Sequence, residues 1–151
     1  MSVEFTILAI LVGPWLATLA LVQARGDPRV VAAGRYGLAA AFAFFAVARF
    51  TVTDTMAAMF PPWVRAPERL VQVTGVIEGL IAPGLVVPKT RRRAGIAAIA
   101  VFLCFFPANV YAALTRADVI GHARGPVYLS VRTPFQALLI VWAWWFVVRR
   151  G

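Results

Sequence analysis

The chain is poor in the residues that carry most polar chemistry. It has one cysteine, one histidine and six carboxylates among 151 residues. The single cysteine, Cys104, lies inside an apolar run. No intrachain disulfide can form, no CxxC redox or zinc motif exists, and Cys104 reads as a small hydrophobe. The single histidine, His122, stands beside Gly121 and near Gly125 with no partner at ligand spacing, so it reads as a solvated loop residue. The absence of a second histidine and of CxxCH argues against metal centres and covalent haem. Charged residues make up 14% of the chain, against about 25% in soluble domains. There is no domain linker, low-complexity tract or clear internal repeat, and residues 1–151 read as a single domain.

What is abundant is apolar: 62% of residues are hydrophobic and the mean hydropathy is +0.82. These residues fall in five blocks, at about 5–22, 31–52, 70–87, 94–114 and 133–148. Each is near the ~20 residues that a helix rising 1.5 Å per residue needs to cross a ~30 Å hydrocarbon layer. Backbone groups in lipid must bond within the segment, so the blocks are predicted to be transmembrane helices. The fold class expected is all-α, a membrane helical bundle. The first block resembles a signal peptide, with Val22-Gln23-Ala24 as a weak cleavage site. No positive charge precedes it, and Glu4 does, so it is read as a retained helix.

The net charge of +9 does not point to nucleic acid. The basic residues sit between the blocks and form no continuous patch. Arg25, Arg29, Arg35, Lys89, Arg91, Arg92, Arg93, Arg149 and Arg150 all fall on one side of a five-span topology. That is nine of the fifteen Lys and Arg. The positive-inside bias then places the C-terminus inside and the N-terminus outside, in a multi-pass membrane protein. Residues 56–67, MAAMFPPWVRAP, resist a simple span. Pro61-Pro62 cannot continue a helix and Trp63 suits the headgroup level. The segment is expected to be a short interfacial or partly re-entrant element across the outer end of the bundle, or else an ordinary loop.

The rare polar residues converge. Glu78 lies eight residues into the third block, roughly 12 Å deep. Asn109 lies five residues before the end of the fourth block, Arg49 near the end of the second, and Arg132 and Gln136 at the start of the fifth, four residues apart on one face. Alternating spans carry all five to the same end, with Thr74 and Tyr111 nearby. A carboxylic acid at mid-bilayer costs ~2.5–3.5 kcal/mol on insertion scales, so it is protonated, paired or hydrated. Gly75, Gly79, Ala82 and Gly84 permit close helix contact around it. Pro83 and Pro107 each remove a backbone hydrogen bond, freeing the carbonyls of Gly79 and Leu103 toward the interior unless they merely kink their helices.

At these residues the sequence resembles the DoxX-like family of small bacterial membrane proteins. The matching segments are MFPPWV (59–64), TGVIEGLIAPGL (74–85), FPANVYAAL (106–114) and RTPFQALLIVWAW (132–144), in the family's order and spacing. The resemblance implies a four-helix membrane core from blocks two to five, with the first block as an N-terminal addition. It also implies association with membrane redox systems, the family's namesake being a subunit of a thiosulfate:quinone oxidoreductase. Many relatives carry His-Phe where this chain has Arg49-Phe50, which weakens any transferred proton-transfer role.

The function expected is that of a non-catalytic accessory subunit of a redox-associated membrane complex. Its polar pocket would bind a quinone-like lipophile or a lipid, with no covalent cofactor. In this reading Glu78, Arg49, Asn109, Arg132, Gln136, Tyr111 and Thr74 form the ligand site. Trp142, Trp144 and Trp145 either wall it or form an interfacial belt, the belt being the simpler account. Partners would be membrane lipids and other subunits. Two other readings compete: a stand-alone scaffold whose charge network only fastens helices, and an acid–base enzyme using Glu78, as in sterol isomerases built on similarly small bundles.

Overall fold

A computed structural model of the chain describes residues 28–115 and 126–149, and every regular element among them is helical. Helix α1, Pro28–Thr51, opens on a proline whose missing N–H costs a first turn nothing. A short helix, α2, Thr53–Ala57, follows, and turns carry the chain to Ala66. Ala66 takes up a left-handed conformation, φ 51°, and reverses the backbone into α3, Pro67–Val86, again with proline in the first turn. Val87 is extended, as a residue before proline prefers, and ends α3. Helix α4, Arg91–Thr115, returns, and α5, Pro126–Ala143, descends and continues as a π-helical turn, Trp144–Arg149.

Three of these helices, Arg29–Thr51, Pro67–Val86 and Arg91–Thr115, are long and apolar enough to cross a membrane. Of the five expected spans, three are thus found at full length among the described residues. The apolar part of the last helix, Thr133–Arg149, is shorter than a full span. Arg132 and Arg149 bound the run, so the helix is longer than its apolar stretch. The first block, residues 5–22, lies outside the described residues, as does His122. The helices also start earlier than the apolar blocks. The Arg91, Arg92 and Arg93 run, read as loop, forms the first turn of α4. Hydropathy marks where oil would begin, whereas backbone hydrogen bonding continues past it.

Packing is closest between α1 and α3. Gly75 makes that approach possible: a Cβ there would stand 2.7 Å from Arg49 Cβ. At Gly79 it would meet only Ala46, at an ordinary 3.7 Å. The core runs along the axis through Leu38, Phe42, Leu85, Ala98, Leu139 and Ala143, with the Phe42 and Phe102 rings 5.2 Å apart. Trp142 belongs to this core. It is buried, and its Nε1 donates to the Gly34 carbonyl at 2.9 Å. The belt reading fits Trp144 and Trp145, which are exposed, but not Trp142.

Residues 56–67 fold back over the end of the bundle. Ala57 is buried, Met56, Met59 and Phe60 are half-buried, and Trp63 projects outward at 79% exposure. The apolar side chains of the segment are what hold its irregular backbone against the helices.

Candidate functional site

Glu78 is the twelfth residue of α3 because the helix begins at Pro67 and not at Leu70. It therefore lies roughly 16 Å along the helix at ~1.5 Å per residue, deeper than the block boundaries implied. It is 2% exposed. Its partner is Arg49, whose Cβ rests on Gly75, one turn before Glu78. Arg49 extends along that turn and engages the carboxylate with both arms of its fork. Nε donates to Oε2 at 3.0 Å and Nη2 to Oε1 at 3.0 Å. This is the bidentate geometry that makes an arginine–carboxylate pair strong and directional.

The remaining faces of Arg49 are also occupied. Nη1 donates to the Met56 sulfur at 3.4 Å. The guanidinium carbon lies 4.1 Å from the centre of the Phe105 ring, a cation–π contact that gains strength where water is excluded. The arginine is thus held by a carboxylate below, an aromatic face beside it, and the covering segment above.

Asn109 and Gln136 are the other buried polar residues of the described chain, and each donates one amide hydrogen bond to a carbonyl of α4. Asn109 Nδ2 donates to the Phe105 carbonyl at 2.9 Å. Gln136 Nε2 crosses from α5 to the Phe102 carbonyl. The acceptors are thus Phe102 and Phe105, not the Leu103 carbonyl expected from Pro107. Leu103 and Pro107 are both exposed, so the gap left by the proline lies on the outer side of α4. No side chain of the described residues donates to the Gly79 carbonyl.

Two cavities border this group. One, of about 50 Å³, lies among Arg49, Glu78, Asn109, Gln136 and the rings of Phe102 and Phe135. The other, of about 120 Å³, lies beneath the covering segment, against Met56, Met59 and Phe60. Phe45, Arg49, Phe105 and Asn109 line both, so Arg49 stands at their junction, and Glu78 lines the smaller one.

Four of the seven expected site residues are therefore brought together: Glu78, Arg49, Asn109 and Gln136. Thr74 is not among them. Its hydroxyl donates to the Val71 carbonyl of its own helix at 2.7 Å, and it lines neither cavity. Tyr111 is half-buried and lines neither. Arg132 sits on α5 one turn before Gln136, and its side chain lies outside the described residues. The aromatic walls were missed by sequence reasoning. A signal existed: Phe45 is four residues before Arg49, and Phe102 and Phe105 fall on the Asn109 face at helical spacing. With eleven phenylalanines in the chain that periodicity does not stand out.

A family model described as "Domain of unknown function (DUF8561)" matches residues 38–147, from within α1 to the final π turn. No curated protein matches the chain, and no solved structure does.

Proposed function

The chain belongs to the DUF8561 family, a description that names no activity, so from the site itself we propose a membrane-embedded accessory protein that binds the head of a quinone-like lipophile beside the Arg49–Glu78 pair. The observation that carries this reading is the position of Arg49 at the junction of two cavities, with Glu78 in the smaller and carboxamides and phenylalanine rings around them. Ligand sites combine apolar walls with a few placed polar groups in this way. At about 50 and 120 Å³, the cavities are smaller than the ~300–1,000 Å³ that encloses a whole drug-sized ligand. They suit a ring with its carbonyls, leaving an isoprenoid tail in lipid. Arg49 and Asn109 would face the carbonyl oxygens, and the rings of Phe105 and Phe45 would stack on the head. The membrane setting is supported by three helices of spanning length and apolarity. The redox association rests on the DoxX-like resemblance of segments 59–64, 74–85, 106–114 and 132–144.

Binding is favoured over acid–base catalysis because Glu78 is held by Arg49 at both oxygens and no second acid or base lines its cavity. The same closed geometry favours one competing reading, that the pair only fastens α1 to α3. Equilibrium binding of a short-tailed benzoquinone to the purified chain in detergent separates the two. The binding reading expects saturable uptake, weakened about tenfold or more in Asn109→Leu, which removes a contact to the head, and in Glu78→Gln, which loosens the fork that positions Arg49, a hydrogen bond to a charged group being worth ~1.5–3 kcal/mol. Uptake no greater than that of empty micelles, or unchanged in both folded variants, overturns it and leaves the fastening role.

A further inference from the structure

At the opposite end of the bundle, two arginines line one cavity that no described carboxylate lines. Arg35, two turns into α1, and Arg91, the first residue of α4, line a common cavity of about 30 Å³ with Tyr36 and Leu85. Both are half-buried. Arg35 makes no hydrogen bond or ion pair with any described residue. Arg91 donates one bond, from Nη2 to the Val86 carbonyl at 3.3 Å. Its Nε is buried and finds no acceptor, the one such side-chain atom among the described residues. A buried donor left without an acceptor costs ~1–3 kcal/mol, more on a charged group. Two guanidinium groups sharing a low-dielectric cavity also repel one another. The three described carboxylates offer no relief. Asp54 and Glu68 lie at the far end, and Glu78 is committed to Arg49. Lys89, Arg92 and Arg93 stand exposed around the opening and deepen the positive potential.

We propose that Arg35 and Arg91 together bind a phosphate oxyanion, as a second site independent of the Glu78 cavities. Guanidinium forks match the oxygens of a phosphate, and one anion between the two arginines removes their repulsion. A cavity of about 30 Å³ exceeds the ~10–15 Å³ that one water-sized group requires. It admits one or two oxygens of the phosphate, and the remainder stays outside. The chemistry is shared by an anionic phospholipid headgroup and by free phosphate, and the position at the basic end of the helices is open to either.

The test is native mass spectrometry and thermal unfolding of the full chain in detergent, at about 0.5 M salt, where diffuse surface attraction is screened within a few Å. Phosphatidylglycerol is compared with phosphatidylcholine, and inorganic phosphate with chloride at equal ionic strength. Retention of phosphatidylglycerol alone identifies a headgroup site, and stabilisation by inorganic phosphate identifies a free-phosphate site. In either case Arg35→Gln and Arg91→Gln should weaken binding about tenfold or more. The exposed Arg92→Gln should change it by less than about threefold, since screening leaves little of the ~1 kcal/mol a surface cation contributes. Neither ligand binding, or Arg92→Gln weakening it as much as Arg91→Gln, overturns the site. Where Arg35→Gln does not accumulate as folded protein, Arg35→Lys keeps the charge and loses the fork. Weakened binding in that variant supports the site, and binding equal to the parent overturns it.

Discussion

Glu78 and Arg49 set the terms at the scale of single residues. Taken alone, each is costly away from water, and a fork of two 3.0 Å hydrogen bonds makes them one unit. Removing one partner strands the other charge, which in buried pairs costs ~3–5 kcal/mol, whereas replacing both with apolar groups of similar size is close to neutral. Arg49→Met and Glu78→Leu are each expected to lower stability by about that amount, and the double variant to recover most of it. Thermal unfolding in detergent measures the cycle. Losses that simply add would show that the two groups are not coupled. The pair was half legible in the sequence. A carboxylate in an apolar run is conspicuous, and alternating spans bring cations to its depth. Choosing Arg49 as its partner required knowing that Gly75 brings the stem of Arg49 onto α3, a contact distance that spacing does not contain. Thr74 was selected for its polarity, yet a helical threonine one residue off the buried face satisfies itself on its own backbone.

Between helices, the absence of a side chain does the positioning. The α1–α3 contact closes where Gly75 meets Arg49. A methyl group there would overlap a Cβ, an atom that moves only with its backbone, and would also displace the fork from Glu78. Gly79→Ala adds the same methyl at ordinary contact distance from Ala46 and removes a glycine from a helix interior. Gly75→Ala is therefore expected to destabilise by about 1–3 kcal/mol, as overpacking does. Gly79→Ala is expected to be neutral or to stabilise by up to about 1 kcal/mol. Melting temperatures of the two variants in one detergent decide this, and equal losses in both would refute the assigned contact. The helices themselves were legible from block length, within a few residues at most ends. Their ends were not, because arginine and proline extend a helix beyond its oil-soluble part: Pro67 in α3 and Arg91 in α4. Trp142 was misread for a related reason. Its residue type suits an interface, but position on α5 turns it toward Gly34, and a buried indole N–H then takes the carbonyl within reach.

For the molecule as a whole, charge is divided between two ends. Lys89, Arg91, Arg92, Arg93 and Arg149 gather where α3 turns into α4 and where the last helix ends, while at the other end Arg65 and Arg69 are balanced by Asp54 and Glu68. In the proposed membrane setting this asymmetry predicts a cytoplasmic basic end, because lysine and arginine in short loops are retained on that side. The 87–90 turn is short, which is the condition under which that bias is strongest. The opposite turn presents Trp63 at 79% exposure, as an aromatic at a headgroup boundary would be. The two turns therefore report opposite compartments. In a Cys104→Ser background, Trp63→Cys should react with a membrane-impermeant maleimide in cells whose outer barrier alone has been opened. Lys89→Cys should react only after the inner membrane is disrupted. Reversal of the two patterns would place the basic end outside and move the Glu78 cavities to the cytoplasmic leaflet. Equal labelling of both in intact cells would remove the membrane-spanning arrangement itself, since residues 67–86 could not then separate the two turns. The expected pattern leaves the Arg49–Glu78 cavities in the outer half of the bilayer and the Arg35–Arg91 pair in the inner half, two sites at different depths on one set of helices.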